Sequence, residues 1–217
     1  MLEYNVDLPA QLPMQSDGNF LIQPLPESWK ESLLEKIPVV ADLLESSNTY
    51  LAGGFLRQLV SEEPLDPEIT DVDLFFNSDY TYQAVKTHFE QLDGMTKIFQ
   101  CPEDKLATFQ DSAGWKYQCI AVAFYPSLYS VVDSFDFTTT CFGTNGYEFI
   151  CHKSAPYDTL YKNLRWNKIT HPSSSLRRMM KYARKGFTMS ETELRYFVEC
   201  VSNHSPDIVD WEMVYVD

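Results

Sequence analysis

Apolar and polar positions alternate with different periods along the 217-residue chain. Trp29, Leu33, Leu34, Ile37, Val40, Leu43 and Leu44 recur at helical spacing. They predict a helix over 27–45 that Pro38 must kink or divide. Tyr82, Val85, Phe89 and Leu92 repeat the helical period after Asn77-Ser78-Asp79, a run of residues suited to an N-cap, and predict a helix over 80–92. Short β-like runs lie at 50–52, 71–76, 96–100, 107–110 and 116–124. A short helix is expected over 126–134 and a strand over 135–142. A turn at 143–146 leads from that strand into another over 147–152. In the strand expected over 135–142, alternation sends Asp136, Thr138 and Thr140 to one face. Phe135, Phe137 and Cys141 take the other, with Thr139 the exception. Helical segments follow over 154–164, over 172–185 with Gly186 as the stop, and over 190–201. The last opens with Ser190 and Glu193 at capping-box spacing and is expected to pack through Leu194, Phe197 and Val198.

This order predicts an α+β fold: a mixed β-sheet with helices mainly on one face, followed by a small C-terminal helical segment. Residues 1–26, with Pro9, Pro13, Pro24 and Pro26, are expected to form an extended arm. The core is placed at 27–152, and a basic helical segment ending in an acidic tail occupies 153–217.

The chemistry concentrates in 50–76. A short apolar run ends in Gly53-Gly54, a helix-like segment carries Arg57, and a proline-marked loop leads into Asp71-Val72-Asp73. Alternation puts both carboxylates on one strand face, roughly 7 Å apart. Such a pair repels unless a cation sits between or above it, and Mg²⁺ shared with substrate phosphates is a common solution. Glycines before a helix let the backbone approach a phosphate closely, and a helix start favours anions. An edge strand carrying two solubility charges would show the same D-h-D pattern alone.

The combination of Gly53-Gly54, Arg57 and Asp71-Val72-Asp73 resembles the nucleotidyltransferase superfamily that includes DNA polymerase β. The form G-G-x-x-R … D-h-D-[LIV]-F is most similar to the tRNA nucleotidyltransferase and poly(A) polymerase branch. The run LRRMMKYARKGF resembles, more loosely, the helix after the catalytic core in that branch. The resemblance implies a nucleotidyltransferase-like catalytic core at 27–152 and an enzyme that uses a nucleoside triphosphate with Mg²⁺ or Mn²⁺. It implies Asp71 and Asp73 as metal ligands, and it calls for a third acid on a neighbouring strand, for which Asp136 is the match and Asp133 the competitor. Gly53, Gly54 and Arg57 would meet the triphosphate, with Arg177 and Lys181 holding the base-side phosphate or an acceptor strand. An E-D-x-x-R base-selecting motif is not found downstream.

Net charge is −14, which argues against a protein that coats nucleic acid with a wholly basic surface. Residues 153–185, from Lys153 to Lys185, carry nine basic residues against Asp158, leaving −22 for the rest. The Arg57 pattern of the resemblance and this basic strip together favour an RNA acceptor with a tRNA-like 3′ end; the strip is also what a solvated helix face would show. A protein or small-molecule acceptor, or a non-catalytic binding module, remains the alternative. The five cysteines and four histidines are dispersed, so a zinc site is not expected and reduced thiols are. With no long apolar run and no leader-like start at 1–20, a soluble, cytoplasmic protein without a membrane partner is expected.

Overall fold

The two helical runs flanking Pro38 become separate helices, α1 (Glu27–Lys36) and α2 (Pro38–Ser46). Proline opens the second, where its missing N–H is one no helix would pair. The computed structural model describes residues 15–46 and 48–203. The expected arm up to residue 14 and the acidic tail at 207–217 lie outside the described residues.

The described residues contain a nine-stranded sheet. Its strands are β1 (Gln15–Asp17), β2 (Phe20–Pro24), β3 (Thr49–Ala52), β4 (Asp71–Phe76), β5 (Thr96–Gln100), β6 (Leu106–Gln110), β7 (Lys116–Ile120), β8 (Phe142–Thr144) and β9 (Glu148–His152). They lie in the order β1-β2-β9-β8-β3-β4-β7-β6-β5. Only β4 and β7 run parallel; every other pair is antiparallel. The sheet is therefore mixed and the fold α+β. In the described part of the expected arm, residues 15–24 form a hairpin whose second strand pairs with β9.

Strand β4 shows how the faces are divided. Val72, Leu74 and Phe76 point to a core built with Leu33, Val40, Phe55, Tyr82 and Phe89. These come from α1, α2, α3 (Gly54–Val60) and α4 (Asp79–Gln91). On the opposite face, Phe75 joins Tyr50, Ile120 and Ile150 under Leu128, Val131 and Val132 of α5 (Leu128–Asp133). Helix α5 sits directly over β8: a Cβ added at Gly143 would lie 2.6 Å from Val132 Cγ2 and 2.8 Å from Leu128 Cδ1. Asp71 and Asp73 share the face of Phe75. After the short helix α6 (Ala155–Leu160), the C-terminal helices α7 (Pro172–Arg184) and α8 (Glu191–Asn203) contribute to a third core. It gathers Phe137, Leu164, Trp166, Tyr182, Phe187 and Phe197.

Three expectations about local structure are corrected. Residues 135–142 do not form a strand: Thr138–Thr140 make a single 3-10 turn and pairing begins only at β8. The threonine hydroxyls explain this. Thr138 Oγ1 donates to Asp158 Oδ2 at 2.7 Å, Thr139 and Thr159 share a hydrogen bond at 2.9 Å, and Thr140 Oγ1 donates to Phe137 O at 2.8 Å. The Thr140 bond to local backbone competes directly with a ladder, while Thr138 and Thr139 are tied to side chains of α6. The helix expected over 154–164 is reduced to α6. In α8, Phe197 is buried as expected, but Leu194 and Val198 are 42% and 61% exposed.

Gly143→Ala is expected to destabilise the protein by about 1–3 kcal/mol, the usual cost of overpacking. Urea denaturation of the two proteins would measure it.

Candidate active site

The face of the sheet that α5 leaves open is walled on its far side by the C-terminal segment, and a pocket of about 860 Å³ lies between them. Asp71 and Asp73 stand on its sheet side. Asp71 is level with Lys116 of β7, and Asp73 sits between Ala52 of β3 and Gln118 of β7. Both strands beside β4 therefore fix the register of the two carboxylates.

The β3–α3 connection closes over Asp73. Gly53 has φ +90°, a conformation L side chains rarely adopt, and a Cβ there would lie 3.3 Å from Asp73 Oδ2. Its N–H donates to Phe142 O at 2.9 Å, so Gly53 shapes the turn and its amide is already used. Gly54 begins α3, and a Cβ there would meet open space.

Asp73 carries the largest electrostatic consequence. Desolvation, then the charge of Asp71, pushes its carboxyl up to about 7; Lys181, Arg178 and Lys185 oppose this. Arg178, Lys181 and Lys185 all line the pocket, at a spacing that puts them along one face of α7 and its C-cap. Desolvation, then Lys181 and Arg57, lowers Lys185, while Asp71 and Glu63 raise it.

The expected site residues largely converge here. Gly53, Gly54, Arg57, Asp71, Asp73, Asp136 and Lys181 all line the pocket. Arg177 does not; its neighbour Arg178 does. Two members have protein partners of their own. Asp136 is buried and accepts from Arg178 Nη1 at 2.6 Å. Arg57, also buried, donates through Nη1 to both carboxylate oxygens of Glu63 at 2.9 Å. Burial alone would raise Glu63, yet the hydrogen bond and charge of Arg57, helped by Lys162, hold its carboxyl below the ordinary value. Sequence reasoning missed Arg178 and Thr70; the former follows an equally good helical stripe one residue along from Arg177.

Among the described residues, no three His, Cys, Asp or Glu side chains form a group able to hold a metal ion. The pair Asp71 and Asp73 nonetheless fits Mg²⁺, which takes one or two carboxylates and completes its shell with substrate phosphates and water. Two buried atoms of pocket-lining residues, Arg57 Nε and Thr70 Oγ1, have no hydrogen-bond partner among the described residues. Each is a donor that an anionic ligand can satisfy.

Solved structures show the same fold. A CCA-adding enzyme bound to ATP superposes with a TM-score of 0.60 at 15% identity, over 87% of this chain and 49% of that one. An apo CCA-adding enzyme gives 0.57 at 18%, over 83% and 46%. The Thermotoga maritima CCA-adding enzyme complexed with tRNA gives 0.54 at 16%, over 83% and 46%. The chain has the nucleotidyltransferase-like fold and spans less than half the length of these enzymes. The family model described as Gabija anti-defense 2 family protein matches residues 26–162. The chain belongs to the Gabija anti-defense 2 family. No curated protein matches it. No helix among the described residues is long and apolar enough to cross a membrane.

The Asp73 carboxyl makes a pH prediction for the ligand-free protein. Its folded value of about 7 lies above its ordinary 3.8. The folded state therefore holds a proton that the unfolded chain releases, and stability falls as pH rises from about 4 to 7. Asp73→Asn is expected to raise Tm at pH 8, by roughly 2–4 °C for each kcal/mol relieved. The gain should vanish near pH 4 in thermal melts of the two proteins.

Proposed function

We propose that the chain is a cytoplasmic, metal-dependent nucleotidyltransferase that moves a nucleoside monophosphate from a nucleoside triphosphate to an acceptor hydroxyl. In a member of the Gabija anti-defense 2 family, this transfer would be the means of acting against Gabija defence. The observation that carries the reading is Asp71 and Asp73 on one face of β4, in a pocket also lined by Arg178, Lys181 and Lys185.

Asp71 and Asp73 would hold Mg²⁺ or Mn²⁺, which when bound supplies charge neutralisation at the triphosphate and activation of the attacking oxygen. Lys181 and Lys185 act on the β- and γ-phosphates as point charges. Arg57 Nε and Thr70 Oγ1 are donors for the same anion, and Gly54 offers an N–H at the start of α3. Gly53 serves by holding the turn beside Asp73. The phosphate contact expected of Arg177 passes to Arg178. If Arg178 turns to the triphosphate, Asp136 becomes the third carboxylate of the pocket. The acceptor oxygen bonds to the α-phosphorus, the bond from that phosphorus to pyrophosphate breaks, and the acceptor proton passes to solvent. The division into a catalytic core over 27–152 and a C-terminal segment that closes the pocket suits this arrangement.

An RNA acceptor is a second reading, supported by the basic strip and by the tRNA-bound Thermotoga enzyme of the same fold. A binding-only module makes a different prediction.

The test uses each α-labelled nucleoside triphosphate with Mg²⁺ and either total RNA or a lysate of Gabija-expressing cells. Asp71→Ala is expected to lower labelling on the order of 10²–10³-fold, the cost of losing one centre of transition-state stabilisation. Circular dichroism should remain that of the parent protein. If Asp71→Ala kept full anti-defence activity in cells, the binding-only module would be correct instead.

A further inference from the structure

The pocket has two unlike halves. Its cationic half, described above, faces the triphosphate. Its other half is apolar. Phe75 lies two residues beyond Asp73 on the same face of β4, about 7 Å along the strand. Around it stand Ile120, Val122, Tyr125 and Phe135. The ring centroids of Tyr125 and Phe135 lie 6.0 Å and 5.6 Å from that of Phe75. Phe75 and Ile120 are buried, Tyr125 and Phe135 are half-buried and Val122 is 38% exposed, so the accessible surface of this aromatic shelf is made by Tyr125, Phe135 and Val122, with Phe75 beneath them.

Charge decides what such a shelf can receive. The undescribed segments contain no lysine or arginine, so all 17 cationic side chains belong to described residues. Of these, Arg57, Lys105, Arg178, Lys181 and Lys185 line the pocket. Arg57 is held by Glu63 and Arg178 by Asp136. Lys181 and Lys185 are matched to the triphosphate. That leaves Lys105, whose carbonyl accepts from Ala121 N beside the shelf, and the carboxylate of Glu103 in the same pocket lining balances its charge in number. The basic strip is also partly committed, with Arg165 on Asp158 and Lys168 on Asp133. A polynucleotide is bound chiefly through its phosphates, and this half of the pocket offers them no net positive charge. A neutral aromatic ring bearing a hydroxyl suits it better, because it gains ring contacts and needs no counter-ion.

Resting on the proposed nucleotidyl transfer, we propose that the acceptor is a tyrosine side chain of a protein, laid on the Phe75–Tyr125–Phe135 shelf. The phenolic oxygen bonds to the α-phosphorus and pyrophosphate departs toward Lys181 and Lys185. The phenolic proton goes to solvent, leaving a tyrosine–nucleotide phosphodiester.

The experiment incubates the full chain with α-labelled triphosphates, Mg²⁺ and a lysate of Gabija-expressing cells. The products are divided between RNase and protease, and the labelled peptide is sequenced by mass spectrometry. The expected label is RNase-resistant, protease-sensitive and on tyrosine. Phe135→Ala should reduce it about tenfold, in keeping with the loss of one aromatic contact, while a fluorescent triphosphate still binds. Val122→Glu, at an exposed position where folding is not at stake, should reduce it similarly. An RNase-sensitive label would overturn the proposal and leave nucleotidyl transfer standing. So would a label on serine, threonine or a small molecule, or full labelling by both variants. No label from any triphosphate, with or without RNA, would overturn the transfer reading itself and this proposal with it.

Discussion

Two carboxylates at successive same-face positions of one strand repel each other, and the surroundings of Asp71 and Asp73 are arranged around that repulsion. At roughly 7 Å and an effective dielectric near 20 it is on the order of 2 kcal/mol, a sizeable part of the stability of an ordinary domain. Neighbouring strands on both sides of β4 prevent the carboxylates from turning apart by a register slip. Lys181, Arg178 and Lys185 face them across the pocket and oppose the rise in the Asp73 carboxyl. A fold that holds like charges together in this way is pre-organised for a cation and for the polyanion that accompanies it.

Much of the sheet side of this arrangement was legible in the sequence. The alternation Asp71-Val72-Asp73-Leu74 gives the strand and the shared face at once, because a period of two leaves no other arrangement. Helix α4 was equally plain, with Ser78 at its N-cap accepting from Thr81 N. The stretch around Asp136 was not. Its alternating pattern matches a strand, but Thr138 and Thr139 are captured by Asp158 and Thr159, twenty residues away. No local rule reports a partner at that distance. The face of α7 failed for another reason. Stripes through Arg177 or Arg178 both suit a helical period, and only the inward turn of Ser175 and Tyr182 selects the second.

Several residues have tasks besides those the motif suggests. Gly53 is needed because its backbone is left-handed and stands against Asp73, not because its amide is unpaired. Arg57 is anchored by Glu63 and lies over the ring of Phe187 at 5.7 Å, which links the β3–α3 turn to the C-terminal core. The shared fold with CCA-adding enzymes and membership of an anti-defense family are compatible on these terms. A shared fold does not fix a shared function, because function lives in the site that a fold carries.

The pairing of β2 with β9 joins residues 20–24 to residues 148–152. As the chain leaves the ribosome, β2 must wait, its outer hydrogen bonds unmet, until more than half of the protein has been made. Contacts of such sequence separation slow folding. Helix α7 emerges later still, so Asp71 and Asp73 are in place before the cations that face them.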